Sequence, residues 1–560
     1  MSRGGRVKPS FGVLLGALGL LGDPADALAQ GVPAPPAASP PAASPPAASP
    51  PAPAAPPPAA PIVSPAPPAP AETATDASVP PPAPTPAAPS PAASAPPPVP
   101  PAPKHLTLEQ LGFAKPGAAF GSAVDFNVST APRHAGSYLW PLVDIAGINL
   151  TLWGFSYASG APWARVGPKT WKANLQAGLQ WDDNEFEVNQ FFHPYQGSMY
   201  FSAARVHGLN FWEAVPYTMA GSLMWEYFME TEQPSTNDWM TTTWGGFFFG
   251  EALFRLSNRL LDESMSGSGR FWKEFGALAV NPVNGLDRLA SGRAWADGPR
   301  QKQFPLLVNL RVGVDGIGLS EGTGWGKTYR ARIRFDYGDL YAKPNITTPF
   351  EYFNLAAQLH ISGDTLGEGF DGTGVLLGHR FASGPTYANL IAWVLDYEYF
   401  TNGTTQMLTR NSDGIYSLAE MGTGPSWFGH WGLGYGFSID SEVDVLGVPT
   451  GSITSPYAKY ESNRSYNYGI GGALKAEVNL RQARLGRLYA NMSRYLYSVV
   501  DGAKGIEHLG VLQLGAWANI YNGHGLGFAA IRYDRNSNYE HYPDVTDYFW
   551  SGQAQYEVEW

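Results

Sequence analysis

The C-terminal half of the chain alternates. Between Thr328 and Tyr337 the odd positions are Tyr329, Ala331, Ile333, Phe335 and Tyr337, and the even ones are Thr328, Arg330, Arg332, Arg334 and Asp336. Successive side chains of a strand point to opposite faces, so this pattern predicts one apolar and one charged face. In SYNYGIGGALKAEVNL the pattern runs longer: Tyr466, Tyr468, Ile470, Leu474, Ala476, Val478 and Leu480 share a face opposite Ser465, Asn467, Lys475, Glu477 and Asn479. It is blurred in Tyr387 to Phe400. Such runs predict about twelve strands, at 305–315, 327–338, 351–362, 372–382, 387–400, 413–422, 427–439, 465–480, 484–498, 506–521, 524–534 and 545–560.

Their lengths suit tilted strands that cross a bilayer, which need roughly 9 to 11 residues. The expected connections alternate between short turns (383–386, 423–426, 481–483, 522–523) and longer loops (316–326, 363–371, 401–412, 440–464, 499–505, 535–544). One linker, 339–350, is longer than its place in the series predicts. An even strand count with short turns on one side and long loops on the other is the asymmetry of an outer-membrane barrel. The chain ends in SGQAQYEVEW, with Trp560, Val558, Tyr556 and Ala554 on one side and Glu559, Glu557, Gln555 and Gln553 on the other. This alternating last strand closing on an aromatic resembles the C-terminal recognition signal of bacterial outer-membrane proteins.

The fold expected for residues 301–560 is therefore an antiparallel transmembrane β-barrel of about twelve strands. Tyr466, Tyr468, Tyr556 and Trp560 are its candidate membrane-interface aromatics, and Arg330, Arg332, Arg334, Glu477, Glu557 and Glu559 its candidate lumen charges. The arginine file either sets an anion preference or neutralises Glu477, Glu557 and Glu559; pairing is favoured because the net charge is −11. The partners implied are outer-membrane lipid and, through the last strand, the barrel assembly machinery. A soluble secreted β-protein would alternate too, but it would not require aromatics at strand ends.

Composition sharpens this picture. A mean hydropathy of −0.18 argues against a helical membrane protein and leaves a barrel open, since only one face of its wall is apolar. Without cysteine there is neither a disulfide nor a thiolate metal site, and without a basic stripe nucleic acid is not an expected partner. Residues 1–29 read as a secretory signal: Arg3, Arg6 and Lys8 precede an apolar stretch from Phe11 to Gly22, and Ala27-Leu28-Ala29 offers a small-x-small cleavage site. Export to the outer membrane of a Gram-negative bacterium follows. Residues 30–104 are almost wholly Pro, Ala and Ser, a composition that predicts a disordered tether, with peptidoglycan or a periplasmic protein as its candidate partner.

Residues 105–300 differ again: a mixed block with polar helices. HPYQGSMYFSAAR places His193, Gly197, Tyr200 and Ala204 on one helical face, with Pro194 in the first turn. Glu226 and Glu230 stand one turn apart in the next helix. PSTND is a cap for a third, in which Gly246 and Gly250 form a close-packing face and Glu251 and Arg255 an i, i+4 ion pair. Charges interrupt every apolar run, while aromatics surround the charges, so the helices are expected to plug the lumen or sit as a platform at the periplasmic mouth. WDDNEFEVNQFFHPYQGSMYFSAAR, WEYFMET, PSTNDW, GGFFFGEALFRLS and NPVNGLDRLASGR together resemble the bacterial family called domain of unknown function 3943, over roughly 165–295. The resemblance implies no activity and no catalytic residue.

For chemistry, His193, Glu226, Glu230 and Asp238 are the candidate acid–base centre of an outer-membrane enzyme acting on lipid or cell-wall material. The competing expectation is a structural polar network of His193, Tyr200, Arg205, Glu226, Glu230, Asn237, Asp238, Glu251 and Arg255, since buried charges need partners. It is favoured because the spacing fits no named metal or nucleophile motif, and no metal or cofactor is expected. The expected role is structural or transport-like in the outer membrane; the alternatives are that enzyme and a soluble secreted β-rich binding protein.

Overall fold

The computed structural model describes residues 138–299, 304–319, 325–362, 365–401 and 416–560. The expected signal and tether lie outside the described residues.

Among the described residues, twelve strands close into an antiparallel barrel: β1 (Leu306–Leu319), β2 (Trp325–Tyr337), β3 (Phe353–Ser362), β4 (Thr365–Ser383), β5 (Tyr387–Phe400), β6 (Leu418–Gly434), β7 (Phe437–Thr454), β8 (Tyr466–Gln482), β9 (Gly486–Asp501), β10 (Gly505–Tyr521), β11 (His524–Tyr539) and β12 (Val545–Glu559). Each pairs with its chain neighbour, and β1 closes the ring on β12 with Val312 opposite Tyr556 and Asn309 opposite Glu559. Full closure leaves no open edge.

Two boundaries differ from expectation for a physical reason. A short turn is expected at 423–426, yet its Pro425 sits inside β6 opposite Trp393 of β5. On its other side the ladder passes from Thr423↔Gly447 to Ser426↔Asp444, so the missing N–H is tolerated there. The true turn is Tyr435-Gly436, with φ of 51° and 78°. The expected loop 440–464 is consequently mostly strand β7. Likewise 363–371 is not a loop, because β4 begins at Thr365. The turn at Asn522-Gly523, with φ of 46° and 85°, is where Asn-Gly places it.

Which face looks inward follows from contacts across the barrel. Lys475 of β8 reaches Asp396 and Glu398 of β5, and Tyr495 of β9 also reaches Glu398, three and four strands away in the sheet order. These side chains can meet only through the lumen. By alternation Leu395, Tyr397 and Tyr399 of β5, and Tyr466 and Tyr468 of β8, face outward.

The helical block covers that outward face. It comprises α1 (Trp140–Ala158), α2 (Pro168–Ala177), α3 (His193–Val206), α4 (Phe211–Phe228), α5 (Thr236–Leu260), α6 (Gly267–Val280) and α7 (Pro282–Ala290). Phe191 stacks on Phe370 of β4 at 4.6 Å between ring centroids, Phe249 meets Tyr397 edge-on at 4.6 Å, and Phe186 packs on both Tyr399 and Tyr466. The expected plug or periplasmic platform is thus corrected: the block lies on the outside of the wall. Its apolar bulk, read as a lumen filler, matches the apolar outer face rather than the charged inner one.

The lumen receives another segment instead. The overlong connection 338–352 brings Leu340 and Ile346 into a buried cluster with Val375, Leu390 and Phe428, while Tyr352 meets Phe428 and Tyr341 meets His430. A two-residue strand, Asn345–Ile346, pins it to β4. This explains why alternation blurs in β5. Its inner residues Leu390, Ala392 and Val394 are buried under this segment, and its outer residues Leu395, Tyr397 and Tyr399 under the helices, so both faces are apolar.

Candidate functional site at the seam between helices and barrel

Within the block, α3 and α5 cross at backbone contact. A Cβ on Gly197 would collide with the Thr242 carbonyl, one on Gly246 with the Gly197 backbone, and one on Gly250 with Phe201. Below this crossing Glu251 is held between Arg205 and Arg255, each Nε at 2.7 Å, and all three side chains are buried. Arg255 also donates to the Pro349 carbonyl and Arg259 to that of Phe304, fixing this end of α5 near the end of the barrel where the chain enters.

The opposite ends of these helices meet the strands in a polar seam. A single π-turn at Val188–Phe192 precedes α3, so His193 continues a helix rather than opening one. The widened turn aims Asn189 and Gln190 at the wall. Asn189 Nδ2 donates to Asp182 Oδ1 at 2.9 Å and to the Tyr466 hydroxyl at 2.8 Å; Gln190 Nε2 donates to Tyr468 at 2.9 Å, and the Tyr397 hydroxyl donates to the Gln190 carbonyl at 2.5 Å. Arg464 donates to the Asp182 carbonyl and pairs with Asp501. Tyr466 and Tyr468, expected at the lipid interface, are therefore covered by the helices, and their hydroxyls are used inside this seam; Tyr556 and Trp560 remain exposed.

Of the residues singled out from sequence, His193, Asn237 and Asp238 come together here with Asp182, which was not singled out. His193 Nε2 lies 3.4 Å from Asp238 Oδ2, and Asn237 donates to Asp238 at 2.9 Å and to Asp182. Ser235 caps α5, accepting from the Asp238 N–H at 3.1 Å, while its own N–H donates to Glu226 at 2.8 Å. Glu226 sits in the last turn of α4 and adjoins Glu230, which lies just past the helix end rather than within the helix as expected. Burial and then the Asp238 and Asp182 carboxyls push the Glu230 carboxyl well above the usual range. Tyr200 stands apart, donating to Asn149 and accepting from Gln196 at 2.6 Å. Arg205, Glu251 and Arg255 form the separate lower network. Among the described residues no group of three or more His, Cys, Asp and Glu side chains is arranged to hold a metal ion.

The lumen charges pair, but not as the arginine file suggested. Arg330 meets Asp315 at 2.7 Å, Arg332 is bidentate to Asp371 at 2.6 and 2.7 Å, and Arg334 meets Asp336 at 2.9 Å. Glu557 and Glu559 belong to Arg487, with Arg481 also on Glu559, and Glu477 accepts from Asn479. The largest cluster was missed: Lys475 stands 2.5, 2.8 and 2.6 Å from Asp396, Glu398 and Glu420, and Tyr497 donates to Glu420 at 2.9 Å. Its members come from four strands, so nothing in local spacing links them.

Residues 178–283 match the family model described as Domain of unknown function (DUF3943). Among curated proteins nothing matches the chain. Solved structures similar to part of it include the NanC porin (9% identity over 45% of this chain and 98% of that chain, TM-score 0.23). Another is the translocator domain of autotransporter NalP from Neisseria meningitidis (14% identity, 45% and 88%, TM-score 0.21). A third is the TodX monoaromatic hydrocarbon channel deltaS2 mutant (8% identity, 46% and 88%, TM-score 0.21).

Proposed function

We propose that this protein is a bacterial outer-membrane β-barrel whose role is structural: the barrel is a closed scaffold that carries the helical block on its outer wall. The observation that carries the reading is what fills the barrel. The 338–352 segment packs into one end, and above it Lys475 bridges three carboxylates from two strands across the lumen, with Tyr495 and Tyr497 joining the same cluster. Interior positions of a barrel are either filled by side chains or line a channel; ion pairs that meet across the middle support the first. The arrangement favours a scaffold over an enzyme, because the hydrogen bonds of the His193–Asp238 seam run mainly between its own members and the wall tyrosines.

The test is purification of the mature chain from outer membranes, with migration on a gel before and after heating and conductance in a planar bilayer. The reading expects recovery in the outer-membrane fraction, heat-modifiable migration and no steady conductance. Stable open-pore currents would overturn the closed scaffold, and recovery as a soluble protein would overturn the barrel assignment itself.

A further inference from the structure

Two long helices of the block, α1 and α4, turn polar groups inward and large apolar side chains outward. In α1 and α4 polar and small residues share the buried face with Ile145, Phe211 and Trp225: Asn149 and Ser156 in one, Thr218, Gly221, Ser222 and Glu226 in the other. They pair inward; Asn149 donates to the Gly221 carbonyl at 3.2 Å and accepts from Tyr200. The outward positions are apolar. On α1, Trp140, Val143, Leu150 and Phe155 are exposed, Leu150 to 55%, and on α4 Trp212 and Phe228 are exposed. The charged side chains near the outer face of these helices, Asp144 and Glu213, are half-buried and paired. The one charge of α1, Asp144, meets His207 at 2.7 Å, and Glu213 of α4 closes a capping box on Asn210. A soluble bundle shows the reverse pattern, with its apolar stripe turned to the core.

Charge returns only beyond the helix ends. Arg165, Lys169, Lys172, Asp183, Glu185 and Glu232 are exposed past one end, and Asp297 past the other. Aromatics collect at both margins: Tyr157, Trp171 and Phe228 at the end near Arg165 and Lys172, Tyr138 and Trp212 at the other. At 1.5 Å per residue, 19 and 18 residues give α1 and α4 lengths of about 28 and 27 Å, close to the roughly 30 Å of a hydrocarbon layer. No described helix is long and apolar enough to cross a membrane alone. Packed against one another and against the wall, however, the helices hide their polar atoms, as membrane helices must.

The barrel wall carries an apolar outer face of its own. On β5 and β8 the exposed outward residues Ile391, Trp393, Ile470, Leu474 and Val478 are followed along the same strands by residues the helices cover. Resting on the barrel reading above, we infer that the helical block is itself immersed in the membrane, and that the exposed face of α1 and α4 is a lipid-binding surface whose occupant is acyl chains. The protein would then meet lipid with strands around part of its circumference and with helices around the rest. An apolar outer face on the barrel that carries the block, and charge confined to the two ends of α1 and α4, favour acyl chains over a second copy of the chain.

Because the chain has no cysteine, single introduced thiols report position cleanly. Spin labels would be placed at Leu150→Cys and Ala220→Cys on the helices, at Leu474→Cys on the bare barrel wall and at Lys172→Cys beyond the helix end, in the full mature protein in lipid vesicles. Collision rates with oxygen, which partitions into acyl chains, and with a water-soluble nickel chelate would be measured. The inference expects Leu150→Cys and Ala220→Cys to match Leu474→Cys, with nickel collisions lost and oxygen collisions gained relative to Lys172→Cys. Nickel access at the helix sites with a dry Leu474→Cys overturns the inference and leaves the barrel standing. Nickel access at Leu474→Cys as well overturns the barrel reading. Protection of the helix sites from both reagents overturns it in favour of a second copy or another protein on that face.

Discussion

Strand β5 is two surfaces in one. Toward one end its outward residues Tyr387, Ile391 and Trp393 are exposed, Trp393 to 49%; toward the other, Leu395, Tyr397 and Tyr399 are buried, Tyr397 to 0%. Strand β8 repeats the division in reverse chain order, with Tyr466 and Tyr468 covered and Ile470, Leu474 and Val478 bare. The bare portion uses side chains that ask nothing of lipid. The covered portion uses tyrosines whose hydroxyls are matched by Asn189, Gln190 and Glu368. A phenol buried without a partner costs free energy, so those rings belong under the helices and not against acyl chains.

That contrast can be broken most severely through Glu251. It is buried between two buried guanidinium groups, and Glu251→Ala leaves both uncompensated at a cost of about 3–5 kcal/mol, the range for breaking a buried pair. The block should come away from the wall and become sensitive to protease, while the barrel, closed by its own strand ladders, stays heat-modifiable. Simultaneous loss of the barrel would mean that covered and bare wall are not separable.

A milder disturbance is Gly197→Leu, which wedges α3 from α5 at the Thr242 carbonyl; overpacking of this kind costs on the order of 1–3 kcal/mol. The thermal transition of the helices should fall, and circular dichroism would show whether the β signal melts with it or stays. The smallest effect is expected at Glu230. Its carboxyl is held neutral in the folded block to a pH well above the unfolded value, so its contribution is full below the unfolded pKa and is lost as pH rises through the folded one. Stability of the helical transition should therefore decline from acidic toward neutral and alkaline pH, and Glu230→Gln should flatten that slope. An unchanged slope would remove Glu230 from the account.

The barrel was legible in sequence because a period of two, repeated around a closed sheet, survives local noise. Strand number and the Asn522-Gly523 turn follow from it directly. What failed did so where a second surface intrudes. The turn expected at 423–426 falls inside β6, and with it misplaced the alternation of Ile439, Ser441, Val443 and Val445 against Asp440, Glu442 and Asp444 was read as loop. Tyr466 and Tyr468 were indistinguishable from an aromatic girdle, since nothing in a strand's own pattern says what covers it. The ion pair Glu251–Arg255 was legible from i, i+4 spacing, whereas Arg205–Glu251 and Lys475 with its three carboxylates depend on elements distant in sequence. The position of the helical block was missed for a related reason: apolar residues around charges say that a surface is covered without saying which face of the wall covers it.

Cross-linking decides that position. In a chain free of native cysteine, Phe191→Cys would be combined in turn with Phe370→Cys, on the outer face of β4, and with its neighbour Asp371→Cys, whose side chain pairs with Arg332 in the lumen. A short thiol cross-linker applied to intact outer membranes should join the Phe191–Phe370 pair efficiently and the Phe191–Asp371 pair hardly at all. The opposite preference would place the helices inside the barrel and contradict the account.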